Sequence, residues 1–355
     1  NAMSGIVNAV TKDGSNEFHG SFNSGFSTYI TKNKRNGEEV FIGLDPFGIN
    51  SNSDLKFSLS GPVIKDRLYF FTNFRTQDVS GHLNGVRRFE VWNLSNFYDQ
   101  DSSKWFSENT GDSSYVPMNK GQYSSFMGKL SYNLGSIKLA LMLNVNNSIS
   151  RGYSHIYKYN PDGRSYGDGT TTLTMFQLNH FLNEKMFYDV KYSITDNDYG
   201  SYVFEDYASY KVLTEDGIHQ GVYHFAGDTI YNYVNDKYMT AYGTGFFTGG
   251  QDKGHLNRIT KTYNFKSDFT WQVTNAHSIK TGFSFISYEL ENIYHTIRNA
   301  FAGTSLESDQ YKPIVLPDST VYSDVYGVKP KERSFYIQDK FEKDEIVINV
   351  GLRYD

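Results

Sequence analysis

Cysteine is absent from the 355-residue sequence, which excludes a disulfide framework, a thiolate metal site and a cysteine nucleophile. Proline is scarce, with 7 residues, and no apolar run approaches the ~20 residues that a transmembrane helix requires. If the chain lies in a membrane, it must cross as a closed barrel of strands, because only helices and closed barrels satisfy all backbone hydrogen bonds in lipid.

Catalytic signatures are also missing. The sequence has no H-E-x-x-H, G-x-S-x-G or G-x-x-x-x-G-K-[ST] motif, and its 9 histidines are scattered without the spacing of a metal site. The formal net charge of -5 provides no basic footprint for nucleic acid. We therefore expect neither an enzyme nor a nucleic-acid-binding protein.

Aromatic residues are abundant instead. The chain has 29 Tyr and 27 Phe beside only 3 Trp, yet its mean hydropathy is negative. This combination is expected when one face of each strand meets lipid and the other meets water, because the two faces cancel in the average. Period-two alternation supports the interpretation: Leu139, Leu141 and Leu143 share one face of a segment whose other face carries Lys138 and Asn144.

Eleven segments with this alternation are predicted to be strands, and the connections between them are alternately short and long. The strands are predicted at 17–28, 54–61, 68–79, 123–132, 137–147, 171–182, 186–195, 262–273, 278–290, 333–341 and 346–354. The long connections are predicted at about 30–53, 80–122, 152–170, 202–260 and 292–332. Outer-membrane barrels have short periplasmic turns and long extracellular loops, so the pattern predicts an all-β, antiparallel transmembrane β-barrel. A secreted all-β domain would explain the alternation of residues but not the asymmetry of the turns.

Two segments near the start carry a family resemblance. Residues 3–22 (MSGIVNAVTKDGSNEFHGSF) and 57–75 (FSLSGPVIKDRLYFFTNFR) are similar to the plug-to-barrel junction of TonB-dependent outer-membrane receptors, especially the Bacteroidetes-type, Oar-like group. The resemblance implies a plugged barrel of about 22 strands, of which this chain would be an internal fragment supplying about 11. It assigns residues 1–14 to the end of the plug domain and 15–355 to the N-terminal half of the barrel.

The same resemblance implies a function and partners. It suggests a receptor in the outer membrane of a Gram-negative bacterium that imports a scarce nutrient, such as a siderophore, a glycan or a peptide. The implied partners are outer-membrane lipid, the TonB–ExbB–ExbD complex through an N-terminal part missing from this chain, and a surface lipoprotein. A surface adhesin or a secretion-associated barrel, whose long loops bind a protein partner, is the alternative. The fold does not indicate the cargo.

Aromatic residues of the long loops are the candidate substrate-binding residues, because exposed rings stack on sugars, peptide side chains and chelates. The candidates are Trp92, Trp105, Tyr153, Tyr157, Tyr159, Tyr166, Tyr223, Tyr231 and Tyr233, and the same loops also contain Tyr207, Tyr210, Tyr238 and Tyr242. Packing of the loop tyrosines on one another would explain the set equally well.

A calcium site is a weaker candidate. The loop sequence YNPDGRSYGDG offers Asp162 and Asp168, whose carboxylates are oxygen ligands of the kind that Ca²⁺ prefers. Asp-Gly is itself a turn signal, and a pair of turns is the favoured interpretation. Apart from this possible Ca²⁺, no cofactor is expected.

Overall fold

The computed structural model describes residues 11–31, 34–44, 51–240 and 245–355. Within these ranges, no helix has the length and apolar character needed to span a membrane. One large antiparallel sheet contains twelve strands. They are β1 (His19–Ser27), β2 (Asn52–Ile64), β3 (Leu68–Val79), β4 (Gly121–Leu134), β5 (Ile137–Ser150), β6 (Tyr166–Asn183), β7 (Met186–Tyr202), β8 (Gly254–Gln272), β9 (His277–Thr296), β10 (Ser323–Val328), β11 (Lys331–Lys343) and β12 (Ile346–Tyr354).

The strands follow one another across the sheet in chain order, and they occupy eleven positions. β10 and β11 share one position, since both pair with β9: Val328 lies opposite Leu290, and Lys331 lies opposite Ser287. The interruption falls at Pro330, which has no N–H to donate to the ladder and is tolerated at such a break. The eleven predicted strands are therefore confirmed as eleven antiparallel positions.

The alternation of short and long connections is also confirmed. The short ones are 65–67, 135–136, 184–185, 273–276 and 344–345, and the long ones are 28–51, 80–120, 151–165, 203–253 and 297–322. Three of the short turns contain a residue with positive φ, namely Asp66, Gly135 and Asp344. Asp and Gly tolerate that conformation better than most residues, which accounts for the polar, glycine-containing turn sequences.

Two opposite faces run along the whole sheet. Leu130, Leu141, Phe176 and Tyr192 lie opposite one another on β4 to β7 and belong to an apolar face, on which Leu141 is 50% exposed. The polar face alternates with it, as shown by the row Ser131, Ala140, Gln177 and Lys191. The facing predicted for the strand around Leu141 is therefore confirmed.

The strands are longer than predicted at the ends that lead to the long loops. β6 begins at Tyr166, β7 continues to Tyr202 and β8 begins at Gly254, so Tyr166 and Asp168, predicted in a loop, lie in a strand. The prediction of a loop over 292–332 is wrong at both ends, since β9 reaches Thr296 and β10 begins at Ser323. In these extensions the apolar face becomes polar, and the contrast between alternate residues disappears.

The long connections contain secondary structure of their own. The described residues form six small two-stranded antiparallel sheets. Their strands are Lys34–Arg35 with Glu38–Glu39, Asn84–Val86 with Tyr115–Pro117, Ser95–Asn96 with Phe106–Ser107, Tyr210–Val212 with Thr229–Tyr231, Gly217–His219 with Val222–His224, and Arg298–Asn299 with Pro313–Ile314. Single turns of 3-10 helix occur at Ser102–Lys104, His155–Tyr157, Pro161–Gly163 and Asp236–Tyr238.

Candidate functional site

The first described residues, Thr11–Gly14, lie against the polar face of the sheet. The carboxylate of Asp13 contacts two lysines there, with Lys129 Nζ at 2.6 Å and Lys138 Nζ at 2.5 Å. Ser131 Oγ donates to the same carboxylate at 2.9 Å, and Lys129 also donates to Thr11 Oγ1 at 3.0 Å. Because the apolar face suits lipid, these contacts place the segment on the lumen side of the wall.

Opposing effects set the pKa of Asp13. Burial raises the pKa, but hydrogen bonds from Lys129, Lys138 and Ser131 outweigh this effect and lower the pKa to about 2. The carboxylate is therefore ionised at neutral pH and supplies a counter-charge to Lys129, whose side chain is only 8% exposed. A buried ammonium without a partner is strongly unfavourable, so Asp13 and Lys129 stabilise each other's position.

The turn from this segment into β1 depends on close backbone packing. A Cβ on Gly14 would lie 2.4 Å from the carbonyl oxygen of Phe70, so only glycine fits. The side chain of Asn16 then bridges to the first short turn, since its Oδ1 accepts from the Asp66 amide at 2.9 Å and from Tyr69 Oη at 3.1 Å. Residues 1–10, which contain most of the predicted plug segment, lie outside the described residues.

A cavity of about 380 Å³ opens between the long connections 203–253 and 297–322. Its walls combine aromatic rings with hydrogen-bonding groups, a composition suited to a polar organic ligand. The aromatic lining residues are Tyr231, Tyr233, Tyr238 and Tyr311, and the polar ones include Gln220, His224, Asn235, Lys237 and Asp309. Two of the predicted candidates, Tyr231 and Tyr233, therefore lie at one site.

Lys253 contacts two aromatic residues of the cavity lining, one from each of the two long connections. Its ammonium lies over the rings of Tyr233 and Tyr311, 5.1 Å and 4.9 Å from their centroids, and it donates to Tyr311 Oη and the Val234 carbonyl. Burial lowers the pKa of Lys253 to about 8, although Asp236 at 3.7 Å opposes the shift. Burial also raises the pKa of Tyr233 to about 12. The Lys253 side chain thus joins the cavity walls by lying between two aromatic rings.

Other predicted aromatic residues do not line this cavity. Trp105 and Tyr223 are 50% and 57% exposed and pack on Phe97 and Phe225, respectively. Tyr153, Tyr157 and Tyr159 belong to connection 151–165, and the last two pack on Phe247 and Phe246. Trp92 lies beside Gly221, and Tyr166 contacts Tyr202 where β6 begins and β7 ends. Tyr207 packs against His255, and Tyr210 packs against Tyr231. Tyr242 lies outside the described residues.

Asp162 and Asp168 do not form one loop site. Asp162 is bound by Arg87 Nε at 2.5 Å, whereas Asp168 is a strand residue of β6 opposite Ile149 and Gly200. In the described part of the chain, no three acidic, histidine or cysteine side chains are grouped as metal ligands. The strand position of Asp168 corrects its predicted place in the loop 152–170, and the calcium site, the less favoured of the two interpretations, stays a prediction.

Several residues of the cavity were missed in the sequence. Tyr311, His224 and Lys237 come from separate hairpins and helical turns, and Lys253 immediately precedes β8. None of these residues forms a motif with its chain neighbours. Of these four residues, only Tyr311 is an aromatic residue in a predicted long loop, which is the property that identifies the other candidates in the sequence.

Comparisons with known proteins agree with this architecture. The model of the family described as "Outer membrane beta barrel domain" matches residues 93–355. The TonB-dependent transporter Oar of Myxococcus xanthus is 38% identical over 72 residues, which are 20% of this chain and 7% of that protein. Oar and a solved structure, the outer membrane transporter YddB, are both named as transporters and not as enzymes.

The solved structure is the outer membrane transporter YddB from Escherichia coli, with a TM-score of 0.54 and 12% identity. The match covers 96% of this chain and 39% of YddB, so this chain spans well under half of that protein. At this identity the likeness concerns the fold alone. The family match extends over most of the chain and includes β4 to β12, and the chain therefore belongs to the outer membrane beta barrel domain family, in the outer membrane of Gram-negative bacteria.

Proposed function

We propose that this chain is part of a TonB-dependent importer that captures a polar nutrient at its long loops and passes it through a plugged lumen. The observation that carries the proposal is the position of Thr11–Gly14 on the polar face, where Asp13 binds Lys129 and Lys138. A segment that enters the lumen just before the first strand is what a plug domain requires and what an open porin lacks.

The cavity at connections 203–253 and 297–322 is the proposed capture site. Tyr231 and Tyr238 offer rings for stacking, while Lys237 offers hydrogen-bond donors and one positive charge. The proposed ligand classes are a siderophore, a glycan or a peptide. The proposed partners are the TonB–ExbB–ExbD complex, which would act on a part of the protein outside this chain, and a surface lipoprotein over the loops. The proposal needs no resident cofactor.

Growth assays with the full-length receptor test this function. A strain lacking the receptor gene would be grown on a panel of ferric siderophores, oligosaccharides and peptides as sole iron, carbon or nitrogen source, with and without restoration of the gene. We expect one class to require the receptor, and to require TonB as well. Growth that depends on the receptor but is unchanged without TonB would reject the importer.

Matched variants then locate the capture site. Tyr231→Ala should raise the nutrient concentration needed for half-maximal growth, because it removes a ring from the cavity wall. Tyr98→Ala removes a ring that is 64% exposed in connection 80–120 and does not line the cavity, so it is expected to leave growth unchanged. Equal effects of the two variants would place capture elsewhere while leaving the importer itself intact.

A surface adhesin or secretion-associated barrel is the second candidate. Exposed apolar side chains in connection 203–253 favour it, since Ile218 is 77% exposed and Phe225 is 63% exposed. Patches of this kind mark protein-binding surfaces. Normal growth on every nutrient, combined with loss of cell-to-cell or cell-to-protein adhesion in the strain without the receptor, would support this candidate over import.

A further inference from the structure

A cleft on the outer side of the barrel wall lies just above the lipid-facing band. On β5 the apolar face runs from Ile137 to Val145, continues through Asn147, and ends at Ile149, which is 45% exposed. Ile149 lines a cavity of about 470 Å³ between the ends of β4, β5 and β6 and the segment 116–120. Asp168 and Tyr166 of β6 border the same cavity from the next strand.

The depth of this cleft follows from strand geometry. Residues 137–145 span about 21 Å along the membrane normal at ~3.4 Å per residue and ~40° tilt, close to the ~25 Å band of such barrels. The same arithmetic places Ile149 about 10 Å beyond Val145. The ~25 Å band extends about 2–4 Å past Val145, so Ile149 lies about 6–8 Å outside the hydrocarbon. The polar layer of a bilayer is about 5–8 Å thick on each side, so the cleft lies at the level of lipid headgroups.

The lining chemistry combines an apolar floor with two cations. Val116, Pro117 and Ile149 provide the floor, and Lys120 and Arg151 provide the charges. The guanidinium of Arg151 donates to the carbonyl oxygen of Pro161 at 3.1 Å, and throughout the described part of the chain neither cation forms an ion pair. Among the described residues that line the cleft, Asp168 is the only carboxylate beside Lys120 and Arg151, so this lining carries a net positive charge.

The surroundings of the Arg151 guanidinium favour the binding of an anion. Burial lowers the pKa of its guanidinium, although Asp162 opposes the shift from beyond ion-pair distance. The charged form has therefore lost part of its hydration without a carboxylate in direct contact to replace it. Guanidinium groups bind phosphate through paired hydrogen bonds, and Lys120, which is exposed, can add a second charge to the same group.

We propose that this cleft binds the phosphorylated headgroup of an outer-leaflet lipid. The phosphate lies between Lys120 and Arg151, and the acyl chains pass over Ile149 and continue down the apolar face. The inference rests on the membrane position of the sheet and not on import, so it stands whether the loops capture a nutrient or a protein.

Native mass spectrometry of the purified full-length receptor in detergent tests the site. Phosphatidylglycerol is the phosphorylated anionic probe, phosphatidylcholine is the zwitterionic probe, and inorganic phosphate is the competitor. We expect retention of one phosphatidylglycerol with an apparent affinity about tenfold or more above that of phosphatidylcholine, as befits charge-assisted hydrogen bonds. The variants Lys120→Gln and Arg151→Gln should each reduce this retention.

A control variant distinguishes lipid binding in the cleft from an effect of the protein's overall charge. Lys211→Gln removes an equivalent charge from an exposed hairpin outside the cleft and should retain lipid like the unaltered protein. Heat-modifiable mobility in SDS gels verifies folding, and Lys120 is exposed enough that its variant should fold normally. Unchanged phosphatidylglycerol retention in folded Lys120→Gln and Arg151→Gln would overturn the proposal, as would complete displacement of the lipid by millimolar phosphate, which would indicate a site for free phosphate.

Discussion

Asp13→Asn should loosen the segment that enters the lumen. The carboxylate pKa falls from 3.8 to about 2 in the folded protein, which corresponds to about 2 kcal/mol at ~1.4 kcal/mol per pKa unit. The side chain is 32% exposed, and screening by solvent reduces the expected contribution to about 1–2 kcal/mol. The variant should therefore raise the open population of Thr11–Gly14 by about 5- to 30-fold.

Hydrogen exchange of the full-length protein measures this opening directly. Amides of the peptide containing Thr11–Gly14 should exchange faster by that factor at pH 7. The native pKa is depressed, so the stabilisation is present above pH 3.8 and is lost as the pH falls toward 2, where the variant and the unaltered protein should converge.

Asp54→Asn is the matched control, since Asp54 also binds two cations, Lys56 and Arg75, but does not contact the segment. Equal exchange of Thr11–Gly14 in Asp13→Asn and the unaltered protein at pH 7 would refute the anchoring role of Asp13.

Three further predictions concern the lipid face, the loops and the lumen turn. Leu141→Asp should destabilise the barrel by about 2 kcal/mol or more in urea unfolding from vesicles, whereas Asn144→Asp should have little effect, and equal midpoints would contradict the assigned faces. Lys253 has its pKa lowered from 10.5 to about 8, so calorimetric stability of the loops should rise between pH 8 and pH 10.5 by up to about 3 kcal/mol, and a flat profile would argue against its burial. Gly14→Ala should speed proteolysis within Thr11–Gly14, because the added Cβ meets a backbone carbonyl oxygen at 2.4 Å, and unchanged cleavage would show that this close approach is not required.

The positions of the strands could be predicted from the sequence because each strand separates lipid from water. Within the band, that separation forces alternation, as Leu139, Leu141 and Leu143 illustrate. Outside the lipid-facing band of the barrel, both faces of a strand meet polar surroundings. Asp168 and Asp196 lie on the continuation of the apolar face, so the period-two contrast is lost although the backbone ladder continues. The alternation therefore predicts strands that are too short at the ends leading to the long loops.

The cavity could be predicted only in part, because its residues meet through contacts between distant loops. Tyr231 had a visible signal, an aromatic ring in a long polar loop. Lys253 had none, since its role depends on Tyr311, 58 residues further along the chain. Two predicted rings, Tyr157 and Tyr233, are 5% and 1% exposed, and a sequence cannot distinguish a loop aromatic that packs inward from one that faces solvent.

The two ends of the proposed transport route differ in how firmly they are held. The loops are joined by hydrogen bonds shielded from solvent, among them a buried one from Asn160 Nδ2 to Gly250 O at 2.9 Å and a partly buried one from Asn235 Nδ2 to Glu307 O at 2.8 Å. Separating the loops would leave buried amides unsatisfied at about 1–3 kcal/mol each. The carboxylate of Asp13, by contrast, is 32% exposed and partly hydrated. If the proposed import function holds, we expect the amides at the Asp13 contacts to exchange faster with solvent than the buried amide of Asn160, which hydrogen exchange of the full-length protein can compare.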